Sequence, residues 1–533
     1  MNLANDKTVE MDAPANRSSR EQVQPRHRSP FRNVLSNWIG FLLSACIAFL
    51  ISPFVVRHLG NSAYGVWVLI GSLTGYLGLL DLGVRGAVTR YVSRFHALED
   101  HKEASRVASS ALMIFIGAGI LAILVSVILA IFAVDAFHLP PTYRVAARVI
   151  LAIAGVNIAV SLASGVFGGI LIALQRFDVT NLVEVVSGIL RAAAIVVALL
   201  RGQGLIALAV VQLLFAVANC VIYARISLRE YPQLRVNFRH CDLQHLRMIF
   251  SFSVYAFLIT ISINLIFYTD SIVIGAFLPV SLITFFAIAG NLMNYSRDLI
   301  SGISIIAAPK ASGMDAEEDR EGVRRVLLKS AQFSSIVMLP IAMTFMLRGT
   351  TFIRLWMGAE YAEQSGHVLW ILTLAAIFMA GAQAAGSTMI GIGKHRLLAK
   401  VQIGEALCNL GLSVLLVRQW GIVGVAWGTA LPSLAKTFLF WPWYVYRILG
   451  ISSWKFALST WLRPAFGIVA FAVLTYFTER VWSAKHLAIF FLQVAAVLPA
   501  AVIGYWYLCF EISDRNEYSK RYLQPLLKSL RIA

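Results

Sequence analysis

Fourteen apolar runs, each long enough to cross a bilayer, fill nearly the whole of a 533-residue chain. A hydrocarbon core about 30 Å thick needs roughly 20 helical residues per crossing. A helix pairs its own backbone groups, so it can pass where water cannot help. The runs cover 34–57, 62–83, 107–134, 146–173, 180–200, 204–226, 247–276, 280–309, 326–347, 365–391, 397–417, 421–446, 457–478 and 486–510. Three of the cuts rest on glycine beside a polar residue, at 60–62, 201–204 and 418–421, a turn signal between apolar runs. The expected fold is therefore an all-α polytopic membrane protein with about fourteen transmembrane helices. Only 14% of the residues are charged and 59% are hydrophobic.

Little is left outside the runs. Residues 1–33 are a polar, basic tail with no apolar period, expected to be disordered and to lack a signal peptide. Residues 34–227 hold crossings one to six, 228–246 form a basic linker, 247–448 hold crossings seven to twelve, 449–510 hold the last pair and 511–533 form a polar tail. No room remains for a soluble catalytic domain, and the chain is not read as an enzyme. With the start placed in the cytoplasm, 32 of the 45 Lys and Arg fall in cytoplasmic tails and loops or at their edges and nine on the far side. That bias puts both termini in the cytoplasm. The net charge of +18 therefore reports topology and attraction to anionic membrane lipids, with no nucleic-acid partner implied. The five cysteines show no metal spacing and read as free thiols. There is no P-loop, dinucleotide turn or His pair, so neither a cofactor nor a metal is expected.

The chain also repeats itself. Arg201-Gly-Gln-Gly-Leu-Ile-Ala-Leu-Ala is answered by Arg418-Gln-Trp-Gly-Ile-Val-Gly-Val-Ala, 217 residues on. LIALQRFDVTN is answered by IGIGKHRLLAK, and HLGNSAYGVW by FLPVSLITFF, both at 219. Three matches in one order at nearly one offset predict two pseudo-symmetric six-helix lobes in the same orientation, with two extra helices after them. Parallel repeats of this kind occur in transporters that rock one half against the other.

A charge inside a bilayer needs a partner or a wet cavity. Four bases qualify, Arg85, Arg191, Arg297 and Lys436, as do the acids Asp81, Glu184, Asp298 and Glu405, with Asp270 as a borderline fifth. Asp81 and Arg85 are four apart and can pair on one helix face, a structural role. Glu184 and Arg191 are seven apart, too far along the axis to close on each other, and are expected to share a polar space. Arg297 and Asp298 are adjacent, so one is expected to line a cavity while the other pairs elsewhere. The offset sets Glu405 opposite Gly188 and Lys436 opposite Asn219, which predicts one cavity fed by both halves. Arginine in a wet cleft suits phosphate, by its fork of donors and fixed charge. The tryptophans Trp38, Trp356, Trp443, Trp454 and Trp482 lie near helix ends, as an aromatic belt would.

The first hairpin reads RHLGNSAYGVWVLIGSLTGYLGLLDLGVRGAVTRYVSR. Its L-G-x-x-x-Y-G-x-W, G-Y-x-x-L-L-D-L-G and R-Y-V-S pieces, with LQRFDVTNLVEVVSGILR and GIGKHR later, resemble bacterial polysaccharide transporters. These form the Wzx-like branch of the multidrug/oligosaccharidyl-lipid/polysaccharide (MOP) superfamily. The resemblance spans about residues 34–510. It implies an inner-membrane flippase that turns an undecaprenyl-diphosphate-linked oligosaccharide, an O-antigen or exopolysaccharide unit, from the cytoplasmic to the periplasmic leaflet by alternating access. It implies a lipid-linked oligosaccharide as substrate, with a glycan polymerase and chain-length proteins as candidate partners. It carries over no site residue. On the residue reading, Arg191, Arg297, Lys436 and Arg85 are the candidates for the diphosphate. Glu184, Glu405, Asp298 and Asp81 are the candidates for sugar contact or coupling to H+ or Na+. Two other readings stand beside it: a cation-coupled antiporter of small molecules from the same superfamily, and a non-transporting scaffold in a glycan-assembly complex.

Overall fold

The computed structural model describes residues 30–137, 139–237, 242–304 and 306–520. Among these residues the chain is helical and has no strand. Ten helical stretches are long and apolar enough to cross a membrane. Two of them, Leu43–Ala97 and Arg396–Leu449, run for 55 and 54 residues, about twice what one crossing needs. Each is broken at a glycine whose φ an L side chain avoids. In α1 (Pro30–Gly75) the break is Gly60, at φ 76°. In α12 (Arg396–Ala435) it is Gly421, at φ 58°. The second break turns the chain back on itself: Gly424 lies against Leu416, Gly428 against Ser413, and Asn409 reaches Thr429. Gly202, at φ 73°, marks the third cut, between α5 (Phe177–Leu200) and α6 (Leu205–Glu230). With α7 (Leu243–Phe277) and α8 (Ser281–Ser304), the helices are consistent with fourteen crossings.

The first half consists of α1, α2 (Val84–Ala97), α3 (His101–Ile128), α4 (Pro141–Ala173), α5 and α6. The second consists of α7, α8, α9 (Ala307–Ala316), α10 (Arg320–Trp356), α11 (Ala359–Gly391), α12 and α13 (Trp441–Leu449). In the first, α4 packs between α3 and α6; in the second, α10 packs on α11 and α12 on α7. The segment after α6 is strapped to α3. The backbone N–H groups of Arg235 and Asn237 donate to Ser105 Oγ and Ser109 Oγ at 3.0 and 3.1 Å. Those serines are four apart, on one face of the helix. Tyr231 and Leu234, in the same segment, are buried.

The halves meet along α1. Near the Gly60 break, Asn61 O accepts from Thr284 Oγ1 at 2.7 Å and Asn61 Oδ1 accepts from Tyr361 Oη at 2.6 Å. Arg57 donates from Nε and Nη2 to Met357 O, both at 3.2 Å. Trp356 is a correction to the expected belt. It is buried, stacks on Phe49 at 4.7 Å and donates Nε1 to Phe49 O at 3.0 Å. Trp443, Trp454 and Trp482 are exposed; the Trp38 side chain lies outside the described residues.

The last pair of crossings is fixed to α10. α14 (Val469–Val481) packs on α15 (Leu487–Gly504). Arg348, fully buried, donates Nε to Glu479 Oε2 at 2.6 Å and Nη2 to Gln493 Oε1 at 2.5 Å, beneath the Phe490 ring at 4.5 Å. Thr351 Oγ1 donates to the other Glu479 oxygen at 2.5 Å. A charge with no hydrocarbon-compatible alternative is thus paired and hydrogen-bonded.

Candidate functional site

A cavity of about 480 Å³ opens inside the second half, walled by α7, α8, α11 and α12. Ligand sites usually measure roughly 300–1,000 Å³. Four of the eight candidate residues line it: Arg297, Asp298, Glu405 and Lys436. The adjacent pair on α8 does not divide its faces as expected, since both Arg297 and Asp298 reach the cavity.

Lys436 arrives there through a local distortion. Pro432 has no N–H and interrupts the ladder of α12. The turn that follows, Lys436–Phe440, is π-helical. Wide turns of this kind re-aim side chains and recur at functional sites. Lys436 Nζ pairs with Glu405 Oε2, and Ser433 Oγ donates to Glu405 Oε1 at 2.8 Å. Glu405 is therefore fully engaged. Arg297 is not: its guanidinium lies 5.1 Å from the Phe267 ring, and its Nε is buried with no hydrogen-bond partner. Asp270, Glu405 and Asp298 all lie within electrostatic reach of it. Gln383 Nε2 donates to Ser301 Oγ at 2.5 Å on the same wall.

Beside the cavity sits a second polar group. Asp270 of α7 is 5% exposed. Its Oδ2 accepts from Thr429 Oγ1 at 2.8 Å, and Thr429 Oγ1 accepts from Asn409 Nδ2 at 2.8 Å. Asp270 Oδ1, Asn409 Oδ1 and Ser413 Oγ are buried without partners among the described residues. The neighbouring Thr269 Oγ1 meets Tyr76 Oη of the first half at 2.8 Å. The buried Asp270 carboxylate is thus one residue from a contact between the halves.

The first-half candidates do not line this cavity, so the expectation that both halves feed one cavity is not met by it. Asp81 and Arg85 make the expected i,i+4 pair at 3.6 Å, half-exposed. Arg85 lies against Gly165, where an added Cβ would stand 3.0 Å from the guanidinium. Glu184 Oε1 accepts from Tyr223 Oη at 3.2 Å. Arg191 is exposed and meets no carboxylate among the described residues. On α5, Asn181 and Gly188 face α1 while Ser187 faces α6 through Asn219. Glu184 and Arg191 fall on the stripe between those two lines.

Residues 31–309, just over half of the chain, match the family model described as polysaccharide biosynthesis protein. The chain belongs to that family. As a family member it is 20% identical to a proposed O-antigen transporter of Shigella flexneri over 398 residues, 75% of this chain and 93% of the relative. Among solved structures, the lipid II flippase MurJ in an inward closed conformation superposes with a TM-score of 0.70 at 13% identity, covering 89% of this chain and 98% of that one. An inward-facing multidrug-resistance transporter (MATE) of the MOP superfamily gives 0.68 at 14% identity, covering 78% and 98%. At such identities these two structures share the fold with this family member.

Sequence reasoning ranked Asp270 as borderline and passed over Asn409, Thr429 and Ser413. Asn409 and Ser413 are four apart on one helix, a polar stripe in an apolar run. That signal was present. The meeting with Asp270, 159 residues from Thr429, was not.

Proposed function

We propose that the protein is a flippase that carries a lipid-linked oligosaccharide from the cytoplasmic to the periplasmic leaflet of the bacterial inner membrane, with both termini in the cytoplasm. The observation that carries the reading is Arg297: a guanidinium with an unpartnered buried Nε, facing a headgroup-sized cavity inside a membrane-spanning bundle. Such a group needs an anion, and a phosphate fits its fork of donors. A diphosphate entering beside Arg297 would draw Lys436 away from Glu405, whose second oxygen keeps its bond to Ser433. Asp298, Gln383 and Ser301 would then meet sugar hydroxyls. Arg85 and Arg191, exposed on the first half, would meet the headgroup on its way. The relatives named for O-antigen and lipid II transport support the substrate class.

Coupling falls to Asp270. Burial makes a bare charge on this carboxylate costly, so it favours a proton or a cation, and the oxygens of Asn409, Thr429 and Ser413 suit either. The antiporter reading keeps the same ion site and replaces the substrate. The test is surface-glycan export by Arg297→Ala and Arg297→Lys variants that insert normally. Export should be lost with alanine and largely lost with lysine, which has no fork. Wild-type surface polysaccharide in the Arg297→Ala strain would refute the phosphate role.

A further inference from the structure

The two halves treat the same loop in opposite ways. In the first half, Arg176 in the turn between α4 and α5 donates Nε to Asp178 Oδ1 at 3.3 Å and pairs with Glu230 at the end of α6. That cation is neutralised from within. Its counterpart is the turn between α11 and α12. At the 219-residue offset Asp178 becomes Leu397, and at the 217-residue offset Glu230 becomes Arg447. Both internal acids are gone, and one has been replaced by a base.

A separate cavity of about 770 Å³ opens at this second turn. Lys394, His395, Arg396 and Arg447 line it, and no Asp or Glu does. The cradle is built, not incidental. Tyr444 Oη donates to Lys394 O at 2.7 Å and fixes the turn, and the Arg447 guanidinium lies 5.3 Å from the Trp443 ring. Among the described residues neither Lys394 nor Arg447 meets a carboxylate. The apolar side chains of Leu439, Trp443 and Tyr446, on the turns leading to Arg447, are exposed. In a membrane-spanning chain such a face meets acyl chains.

We propose that the α11–α12 turn and the end of α13 form a phosphate-binding site for an anionic membrane lipid, outside the Arg297 cavity, with its acyl chains along Leu439, Trp443 and Tyr446. Arg447 supplies the fork for phosphate oxygens and Lys394 a point charge. Basic pockets at the ends of membrane helices hold lipid headgroups in this manner. A free phosphate would satisfy the same cations but leave the apolar strip without a role.

The test is lipid retention by the full-length protein, counted by native mass spectrometry after extraction from mixed phosphatidylglycerol and phosphatidylcholine vesicles. The Lys394→Gln/Arg447→Gln variant should retain phosphatidylglycerol with about thirtyfold lower affinity and keep phosphatidylcholine unchanged. The converse variant, Asp178→Asn/Glu230→Gln, exposes Arg176 and should gain an anionic lipid. That arm stands even if the first variant fails to fold. Unchanged phosphatidylglycerol retention in a folded Lys394→Gln/Arg447→Gln protein overturns the site. If that variant does not fold, an unchanged lipid count in Asp178→Asn/Glu230→Gln overturns it instead. Displacement of the retained lipid by inorganic phosphate, with equal thermal protection by phosphate alone, overturns the lipid assignment in favour of a free anion. The central flippase reading is untouched by any of these results, because Arg297 lies in the other cavity.

Discussion

Replacing Gly65 with alanine should part the two halves where α1 meets the turn between α7 and α8. Gly65 lies in α1 just past the Gly60 break, against the turn between α7 and α8. An ideal Cβ there would stand 2.1 Å from Val280 O and 2.9 Å from Val280 C. Ordinary carbon contacts lie at about 3.5–4.0 Å, so the two halves must part by more than about 1 Å. The obstacle is backbone, which cannot swing aside as a side chain would. Overpacking of this type costs about 1–3 kcal/mol. The separation also stretches the Thr284–Asn61 and Tyr361–Asn61 bonds, now at 2.7 and 2.6 Å, each worth about 0.5–1.5 kcal/mol net. A combined loss of about 2–6 kcal/mol moves the balance between the joined and parted arrangements of this contact by roughly thirtyfold to about ten-thousandfold. Spin labels at the exposed positions His58 and Glu363, in a protein whose five cysteines are replaced by serine, report the gap by pulsed electron resonance. The distance distribution of Gly65→Ala should move to longer values, and export should fall because the cycle stalls on one side. A folded Gly65→Ala protein with the parent distribution would refute the role assigned to this contact.

Other expectations follow from the same geometry. Arg348→Ala leaves Glu479 and Gln493 without their buried partner and should cost about 3–5 kcal/mol, read as a lowered melting temperature in nanodiscs; Arg348→Met with Glu479→Leu should recover much of it. Ser105→Ala/Ser109→Ala releases the strap after α6. Amide exchange at Arg235 and Asn237 should quicken about threefold to tenfold, with each lost bond worth about 0.5–1.5 kcal/mol, while α3 itself stays protected. Asp270→Asn mimics a neutralised carboxylate, so export in proteoliposomes should lose its dependence on Na+ and on pH; a retained dependence would remove Asp270 from coupling.

The breaks at Gly60, Gly202 and Gly421 were legible because a turn between two apolar runs needs a residue free to take positive φ, and glycine does so without strain. The Asp81–Arg85 pair was legible because it is local, fixed by one turn of helix. Arg348 was visible only as a base on the expected far side. Its burial depends on Glu479 and Gln493, more than a hundred residues away. Trp356 looked like a belt residue by its place at a helix end, but the partner that buries it, Phe49, belongs to the other half. The pairing of Lys436 with Glu405 was hidden by the fold-back at Gly421. In short, what one helix decides could be read, and what two distant helices decide together could not.

The arrangement of charge around Arg297 constrains how transport and an ion gradient can be linked. The cavity holds two bases, Arg297 and Lys436, and two acids, Asp298 and Glu405, so its formal charge sums to zero. Asp270 beside it adds a negative charge that attracts Arg297 and competes with any incoming anion. Neutralising Asp270, by a proton or by Na+, removes that competitor and leaves Arg297 free for a phosphate. If Asp270 is the coupling site, cation and anion would favour each other's binding, and by linkage the favour would be mutual and of one size. The hydrogen bond between Tyr76 and Thr269 places the first half next to Asp270. On the proposed coupling role, an ion that alters Asp270 would alter a contact between the halves as well as the affinity for the headgroup. A carrier needs both effects from one ion: loading must change affinity, and it must change which end of the molecule can open.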